Sequence, residues 1–133
     1  ELLHSAGAAD VPLDVRRVLL EANAADDGCH TAAVGRSHQA KLFETWLPDM
    51  GQRAKMSRKA FEVCWTGTNT WLVSHGSNPV LVDGRVVKKT ASAPLWAGSE
   101  VVLSYETSII LRFRCVSASD AAPAAASNPE PGA

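Results

Sequence analysis

Residues 80–87 of this 133-residue chain read VLVDGRVV, and this stretch carries its clearest structural signal. Two short aliphatic runs flank an Asp-Gly pair at Asp83 and Gly84. A type I′ turn needs positive φ values at both central residues, and Asp-Gly is one of the pairs that adopt them most readily. The stretch therefore predicts a β-hairpin closed by a two-residue turn.

On both sides of this hairpin, short apolar or alternating segments are separated by turn residues. Such segments are typical of β-strands. They are residues 15–20, 31–34, 61–65, 71–73, 101–103 and 109–116. Residues 41–47 (KLFETWL) also alternate, residues 48–51 read as a turn, and we find no convincing amphipathic helix. The pattern predicts an all-β sandwich or barrel.

The two ends of the chain differ from this central part. Residues 1–14 are small and polar with little periodicity, so we expect an N-terminal extension. Residues 117–133 are rich in Ala, Pro and Ser and offer too little apolar surface to offset the entropy of ordering, so we expect a flexible tail or linker. Residues 15–116 are long enough for one β-sandwich domain with one core.

Composition excludes several classes of partner. The net charge is -1, which favours neither nucleic acid nor an acidic membrane surface. No apolar run reaches the roughly 18 residues of a membrane span. Three scattered cysteines do not make a disulfide framework, and Cys64 and Cys115 read as thiols in or near the core. We expect a reducing, intracellular location, either nucleus or cytoplasm.

Three loops between predicted strands concentrate hydrogen-bond donors. The candidate binding residues are Arg36 and Ser37 in the first loop, Ser57 and Arg58 in the second, and Ser77 and Asn78 in the third. A guanidinium fork, hydroxyls and a carboxamide together suit an anion with several acceptor oxygens, such as a phosphorylated side chain. The pattern favours a binding module over an enzyme.

Each of these residues also has an ordinary structural explanation. Arg36 could be solvated, or could pair with Glu44 or Asp49. Ser57 and Asn78 could each stabilise their own turn. Sequence alone leaves these alternatives open.

Other chemistries have weaker support. Cys29, His30, His38 and His75 lack the short fixed spacing of zinc ligands, so we predict no metal site. No nucleophile and base are positioned as a catalytic pair, and we expect neither catalysis nor a cofactor. The four tryptophans in alternating segments are more typical of core or half-buried sheet positions than of base stacking.

With its strands and loops in this order, the chain resembles the forkhead-associated (FHA) domains. The family's Gly-Arg-Ser motif stands at residues 35–37, Ser-Arg-x-His at 57–60, the Asn-Gly-containing motif at 77–84 and the later Gly-Asp element at 95–101. The resemblance implies a two-sheet antiparallel β-sandwich whose loops bind phosphothreonine at one end. It also implies a small apolar recess beside Ser77 and Asn78 for the threonine methyl group.

Three departures from the family pattern fall in the Ser-Arg-x-His motif and the Asn-Gly-containing motif. Ala60 stands in place of a histidine that braces the loop, Pro79 in place of a glycine, and Asp83 in place of an asparagine. By the resemblance we expect a monomeric module that binds a phosphothreonine segment of a partner protein. The alternative is an FHA-like interaction domain that no longer reads phosphate.

Overall fold

The computed structural model describes residues 1–7, 11–18, 20, 23–24, 28–67 and 69–116. Within them, ten strands form two antiparallel five-stranded sheets. The strands are β1 (Leu2–Ser5), β2 (Asn23–Ala24), β3 (His30–Val34), β4 (Phe61–Trp65), β5 (Thr70–Ser74), β6 (Val80–Val82), β7 (Arg85–Val87), β8 (Ser92–Pro94), β9 (Glu100–Tyr105) and β10 (Ser108–Arg114). The prediction of a two-sheet antiparallel β-sandwich is confirmed.

The strand order fixes where each loop lies. One sheet has the order β1-β10-β9-β6-β7, and the other has the order β2-β3-β4-β5-β8. The apolar core lies between them and includes Leu72 of β5 and Leu111 of β10, both without measurable exposure. The chain changes sheets between β5 and β6 and again between β7 and β8, so these two connections lie side by side.

The VLVDGRVV hairpin forms as the sequence predicted. Strands β6 and β7 pair with Val82 opposite Arg85, and the turn residues Asp83 and Gly84 have φ values of 50° and 82°. The same turn is tied to β9, because the Asp83 carboxylate accepts a hydrogen bond of 2.9 Å from the backbone N–H of Glu100. A local sequence signal therefore also helps to set the register of the larger sheet.

The alternation of residues 41–47 indicated a strand, and this prediction is wrong. Most of the segment belongs to the helix α1 (Ala40–Trp46). Phe43, Trp46 and Leu47 are spaced three and four residues apart, so one helical face buries all three. The indole N–H of Trp46 donates to the carbonyl of Val15 at 2.8 Å. Alternation over so short a segment did not distinguish a strand from a helix.

The turn predicted at residues 48–51 is the start of a second helix, α2 (Met50–Ala54). The Asp49 carboxylate accepts hydrogen bonds from the N–H groups of Gly51 (2.7 Å) and Gln52 (3.1 Å). Asp49 is therefore an N-cap, which satisfies backbone donors that the helix itself leaves unpaired.

Two predictions near the N-terminus need correction. Leu2–Ser5, predicted to lie in an extension, forms β1 and pairs with β10. Residues 15–20, predicted as the first strand, instead contain the end of a 3-10 helix (Leu13–Val15), and residues 16–18 lie in no strand. Position 19 and the predicted tail at 117–133 lie outside the described residues, and the domain boundaries stay predictions.

Three smaller features of the fold also differ from what the sequence predicted. Ala24 pairs with His30, although residues 21–30 were predicted to be a loop. β8 was not predicted. In β10 an irregularity between Ile109 and Leu111 breaks the expected alternation, so Ile109 is 48% exposed while Ile110 is 4% exposed.

The central strand β4 carries a buried thiol. Cys64 is 6% exposed, and burial, followed by the nearby Glu62 carboxylate, raises the pKa of its thiol. Cys29 and Cys115 are thiols at half-buried positions. The prediction that Cys64 and Cys115 are thiols in or near the core therefore holds.

We expect Cys64 to resist iodoacetamide at pH 8 in the folded protein and to react once the protein is unfolded. Because folding raises its pKa, the neutral thiol contributes stability that is fully present below the unfolded pKa of about 8.5 and is lost as the pH rises through the folded pKa. Mass spectrometry of the alkylated protein and urea unfolding between pH 7 and 10 measure both effects. Cys64→Ala should remove part of the loss of stability at alkaline pH. Rapid labelling of Cys64 in the native protein would contradict the prediction.

Candidate functional site

All three predicted loops lie at the same end of the sandwich. The first two both belong to the connection between β3 and β4, which leaves β3 and enters β4 at one end of an antiparallel pair. The third follows β5, which runs antiparallel to β4 and ends beside the start of β4, with Ser74 opposite Phe61. The sheet topology therefore gathers the loops that sequence alone could not bring together.

Backbone hydrogen bonds join the first loop to the second. The N–H groups of Arg36 and Ser37 donate to the carbonyls of Ser57 (3.3 Å) and Arg58 (3.1 Å). Gly35 allows this approach, because a Cβ at that position would overlap the Arg58 carbonyl. The two candidate arginine-serine pairs thus lie on adjoining stretches of backbone.

The Arg36 side chain is held against the second loop. Its Nε donates to the Met56 carbonyl at 2.6 Å. Among the described residues it forms no ion pair, so the alternative pairing with Glu44 or Asp49 does not occur. With Nε used in this way, the two terminal nitrogens of the guanidinium are its remaining donors, and a fork of two such nitrogens can bind two oxygens of one phosphate.

Ser57 lies between the first and third loops. Its hydroxyl is so close to Gly76 that a Cβ at position 76 would overlap it. The N–H groups of His75 (2.9 Å) and Gly76 (3.0 Å) both donate to the carbonyl of Ala60. These contacts fix the third loop against the residues that lead into β4.

The Asn78 carboxamide bridges loops and does not complete its own turn. Its Nδ2 donates to the Lys55 carbonyl at 3.1 Å. Asn78 is half-buried, whereas Ser77 and Ser37 are exposed. The structure therefore holds Asn78 against Lys55, which is next in the chain to the residue that anchors Arg36, while the two serines are exposed to solvent.

The electrostatic environment of this end is mostly cationic. Arg58 is exposed and takes part in no ion pair among the described residues. Lys55 lies 5.2 Å from the ring centroid of Tyr105. The nearby Glu62 carboxylate is already shared by Lys59 (3.5 Å) and His75 (3.3 Å).

A shallow recess opens between the second and third loops. It is lined by Met56, Ser57, Ala60, Asn78, Pro79, Leu103 and Ser104. The sequence predicted a recess beside Ser77 and Asn78, and Asn78 lines it whereas Ser77 does not. Met56 and Leu103 were missed, because their contribution depends on the way β9 packs beside the loops.

Two searches of the described residues found nothing. No group of three or more His, Cys, Asp or Glu residues there is placed to hold a metal ion. No helix among those residues is long and apolar enough to cross a membrane.

Comparison with solved structures finds similarity to forkhead-associated domains. The chain is similar to the N-terminal FHA domain of Saccharomyces cerevisiae Rad53, solved with a phosphothreonine peptide, at 21% identity and a TM-score of 0.46, covering 62% of this chain and 64% of that one. It is also similar to the refined NMR structure of the yeast Rad53 FHA1 domain, at 18% identity and a TM-score of 0.48, covering 66% and 57%. The chain thus spans about three fifths of these structures.

Two other comparisons gave no match. No protein-family model matches the chain, and no curated protein does so. The likeness to solved structures concerns FHA domains, the family that the sequence motifs resemble.

We expect Gly35→Ala to lower the free energy of unfolding by about 2 kcal/mol, because the added methyl group overpacks the contact with the Arg58 backbone. Gly67→Ala is the matched control, since a Cβ there meets nothing within 4 Å. It should stay within about 0.5 kcal/mol of the unchanged protein or be slightly more stable. Urea denaturation compares the two, and equal effects would contradict the close approach of the loops.

Proposed function

We propose that this chain is a phosphopeptide-binding module that recognises phosphothreonine on a partner protein. The observation that carries the proposal is the arrangement of Arg36, Ser57 and Asn78 at one end of the sandwich. Arg36 is anchored through Nε to the second loop, Ser57 packs against Gly76 of the third, and Asn78 donates back to Lys55. Each donor is held by the scaffold before any ligand arrives.

The mechanism is electrostatic capture without chemical change. Arg36 binds the phosphate through its terminal nitrogens, Ser57 adds a hydroxyl donor, and Arg58 neutralises further charge from the rim. Asn78 contacts the peptide backbone, because its carboxamide oxygen is a free acceptor once Nδ2 is bound to Lys55.

The expected affinity is moderate. Charge-assisted hydrogen bonds are worth roughly 1.5–3 kcal/mol each. Several such bonds, less the cost of association, correspond to a dissociation constant on the order of micromolar. Such a contact is reversible and depends on the phosphorylation state of the partner.

Arg36→Ala is expected to weaken binding of a phosphothreonine peptide at least tenfold, which is about 1.4 kcal/mol, with the fold intact. Arg36→Lys should also lose affinity, because a lysine cannot bind two phosphate oxygens with a planar fork. Calorimetry measures both variants, and the unphosphorylated peptide defines the background.

Arg85→Ala is the control for this experiment. Arg85 is exposed at the opposite end of the sandwich, opposite Val82 in the β6–β7 hairpin. Its loss should leave the affinity within twofold of the unchanged protein. If the unchanged protein does not distinguish phosphorylated from unphosphorylated peptide, the alternative of an interaction domain that does not read phosphate holds instead.

We expect a preference for phosphothreonine over phosphoserine of about tenfold. The recess beside Asn78 has apolar walls from Met56, Ala60 and Leu103. Burying one methyl group is worth roughly 0.8 kcal/mol, and the methyl group also restricts χ1 and so lowers the ordering cost. Parallel titration of two peptides that differ only in this methyl group measures the preference. Equal affinities would show that the recess does not receive it.

A further inference from the structure

A fourth connection lies beside the three candidate loops and carries two adjacent lysines. Residues 88–91 (KKTA) join β7 to β8. The end of β7 is opposite the start of β6, with Val87 paired to Val80, and the start of β8 is beside the end of β5, with Ser92 paired to Val73. The lysines are therefore at the same end of the sandwich as the candidate site. We name residues 88–91 the lysine turn.

The strand order places the lysine turn beside the third loop, because β8 is the neighbour of β5 in the sheet. In the sheet β2-β3-β4-β5-β8, the candidate residues follow β3, precede β4 and follow β5, and the lysine turn precedes β8. Neighbouring strands are about 4.8 Å apart, so the start of β8 is about 10 Å from the start of β4. A peptide that crosses this end from β4 toward β8 passes from the phosphate donors to the lysines.

The conformation of the lysine turn is fixed by the sheet. The N–H of Ala91 donates to the carbonyl of Lys88 at 2.8 Å, and the N–H of Thr90 donates to the carbonyl of Ser74 at 2.8 Å. The N–H of Ser74 in turn donates to the Ala91 carbonyl at 3.0 Å. These bonds hold Thr90 at a φ of 72°, which is unfavourable for a β-branched residue. Strain that is maintained in this way is characteristic of functional segments.

Neither lysine is neutralised by an ion pair. Lys88 and Lys89 are both exposed, and neither forms an ion pair within the ranges that the structure describes. Two acidic residues lie nearby at this end. Glu62, placed toward this side by its pairing with Val73, is shared by Lys59 and His75. Glu106 lies in the turn between β9 and β10, and β6 separates β9 from β7 in the sheet. Two exposed cations, on a turn whose backbone is held by hydrogen bonds and which lies beside the proposed phosphate site, fit a ligand with further negative charge.

We propose that the lysine turn is a second recognition element, which binds acidic side chains on one side of the phosphothreonine. The inference rests on the proposed function and adds the class of peptide, since the preferred ligand is acidic on the flank that faces β8. The separation of about 10 Å from the start of β4 is three times the 3.3 Å rise of one extended residue, so the acidic residues lie beyond the position next to the phosphothreonine.

Three phosphothreonine peptides test the proposal by fluorescence anisotropy. One has neutral flanks, one has glutamates at the second to fourth positions before the phosphothreonine, and one has them at the second to fourth positions after it. We expect one of the two acidic peptides to bind three- to tenfold more tightly than the neutral peptide at low salt, and this gain to shrink in 0.5 M NaCl.

The matched variants are Lys88→Gln/Lys89→Gln and Arg85→Glu, which both change the net charge by two units. The first should reduce the gain of the acidic peptide to less than twofold and leave the affinity for the neutral peptide unchanged. The second alters the opposite end of β7 and should keep the gain. Thermal melting confirms that both variants are folded.

The failure of this proposal and the failure of the proposed function give different results. The proposal is overturned if neither acidic peptide gains affinity over the neutral phosphopeptide, or if the gain survives in Lys88→Gln/Lys89→Gln. If the neutral phosphopeptide itself binds no better than its unphosphorylated form, the proposed function fails, and the role of the lysine turn in phosphopeptide recognition fails with it.

Discussion

The candidate site depends on the close backbone contact between residues 35–37 and residues 57–58. The two hydrogen bonds from Arg36 and Ser37 close a connection that contains both α-helices of the structure's described part. Because Gly35 has no side chain, the two stretches approach closely enough for Arg36 to reach the Met56 carbonyl. Without this contact, the arginine and the serine on either side of the connection would be independent loop residues.

Anchoring Arg36 through Nε has an energetic consequence for binding. A free arginine side chain has roughly 2 kcal/mol of rotamer entropy, part of which is lost when it binds a ligand. Because the hydrogen bond to Met56 already orders the Arg36 side chain during folding, much of this entropy is lost before a ligand binds. The entropy cost of ligand binding is then smaller. The same bond leaves the two terminal nitrogens available as the proposed phosphate donors. In the proposed function, one contact therefore contributes both preorganisation and the choice of donors.

Local signals were sufficient for part of the fold but not for the whole. The Asp83-Gly84 turn was predictable because the positive φ values that it requires depend only on its two central residues. α1 was not, because Phe43 and Leu47 suit one face of a strand as well as one face of a helix, and burial of Trp46 between them decides for the helix. β1 was missed because it exists only through pairing with β10, more than a hundred positions away in the chain.

The candidate site shows the same division. The candidate residues could be chosen from the sequence, because donor chemistry is a property of each side chain, and their binding role stays a prediction. Their gathering was not, since it depends on β3, β4 and β5 being neighbours. A recess lies beside Asn78, where the family resemblance implies one, but Leu103 reaches it through the pairing of β9 with β6 and not through sequence proximity. That it receives a threonine methyl group stays a prediction.

The two departures from the FHA pattern that touch the loops leave other contacts between the loops in place. At position 60, where the family has a histidine, the backbone of Ala60 braces the loops, since its N–H donates to Val34 (2.8 Å) and its carbonyl accepts from both His75 and Gly76. Pro79 has no N–H to donate, but the Asn78 side chain ties the third loop to Lys55. Both sets of contacts join one loop to another, and the small Ala60 side chain lines the recess. Losing the histidine therefore removes one side-chain brace while keeping the loops joined.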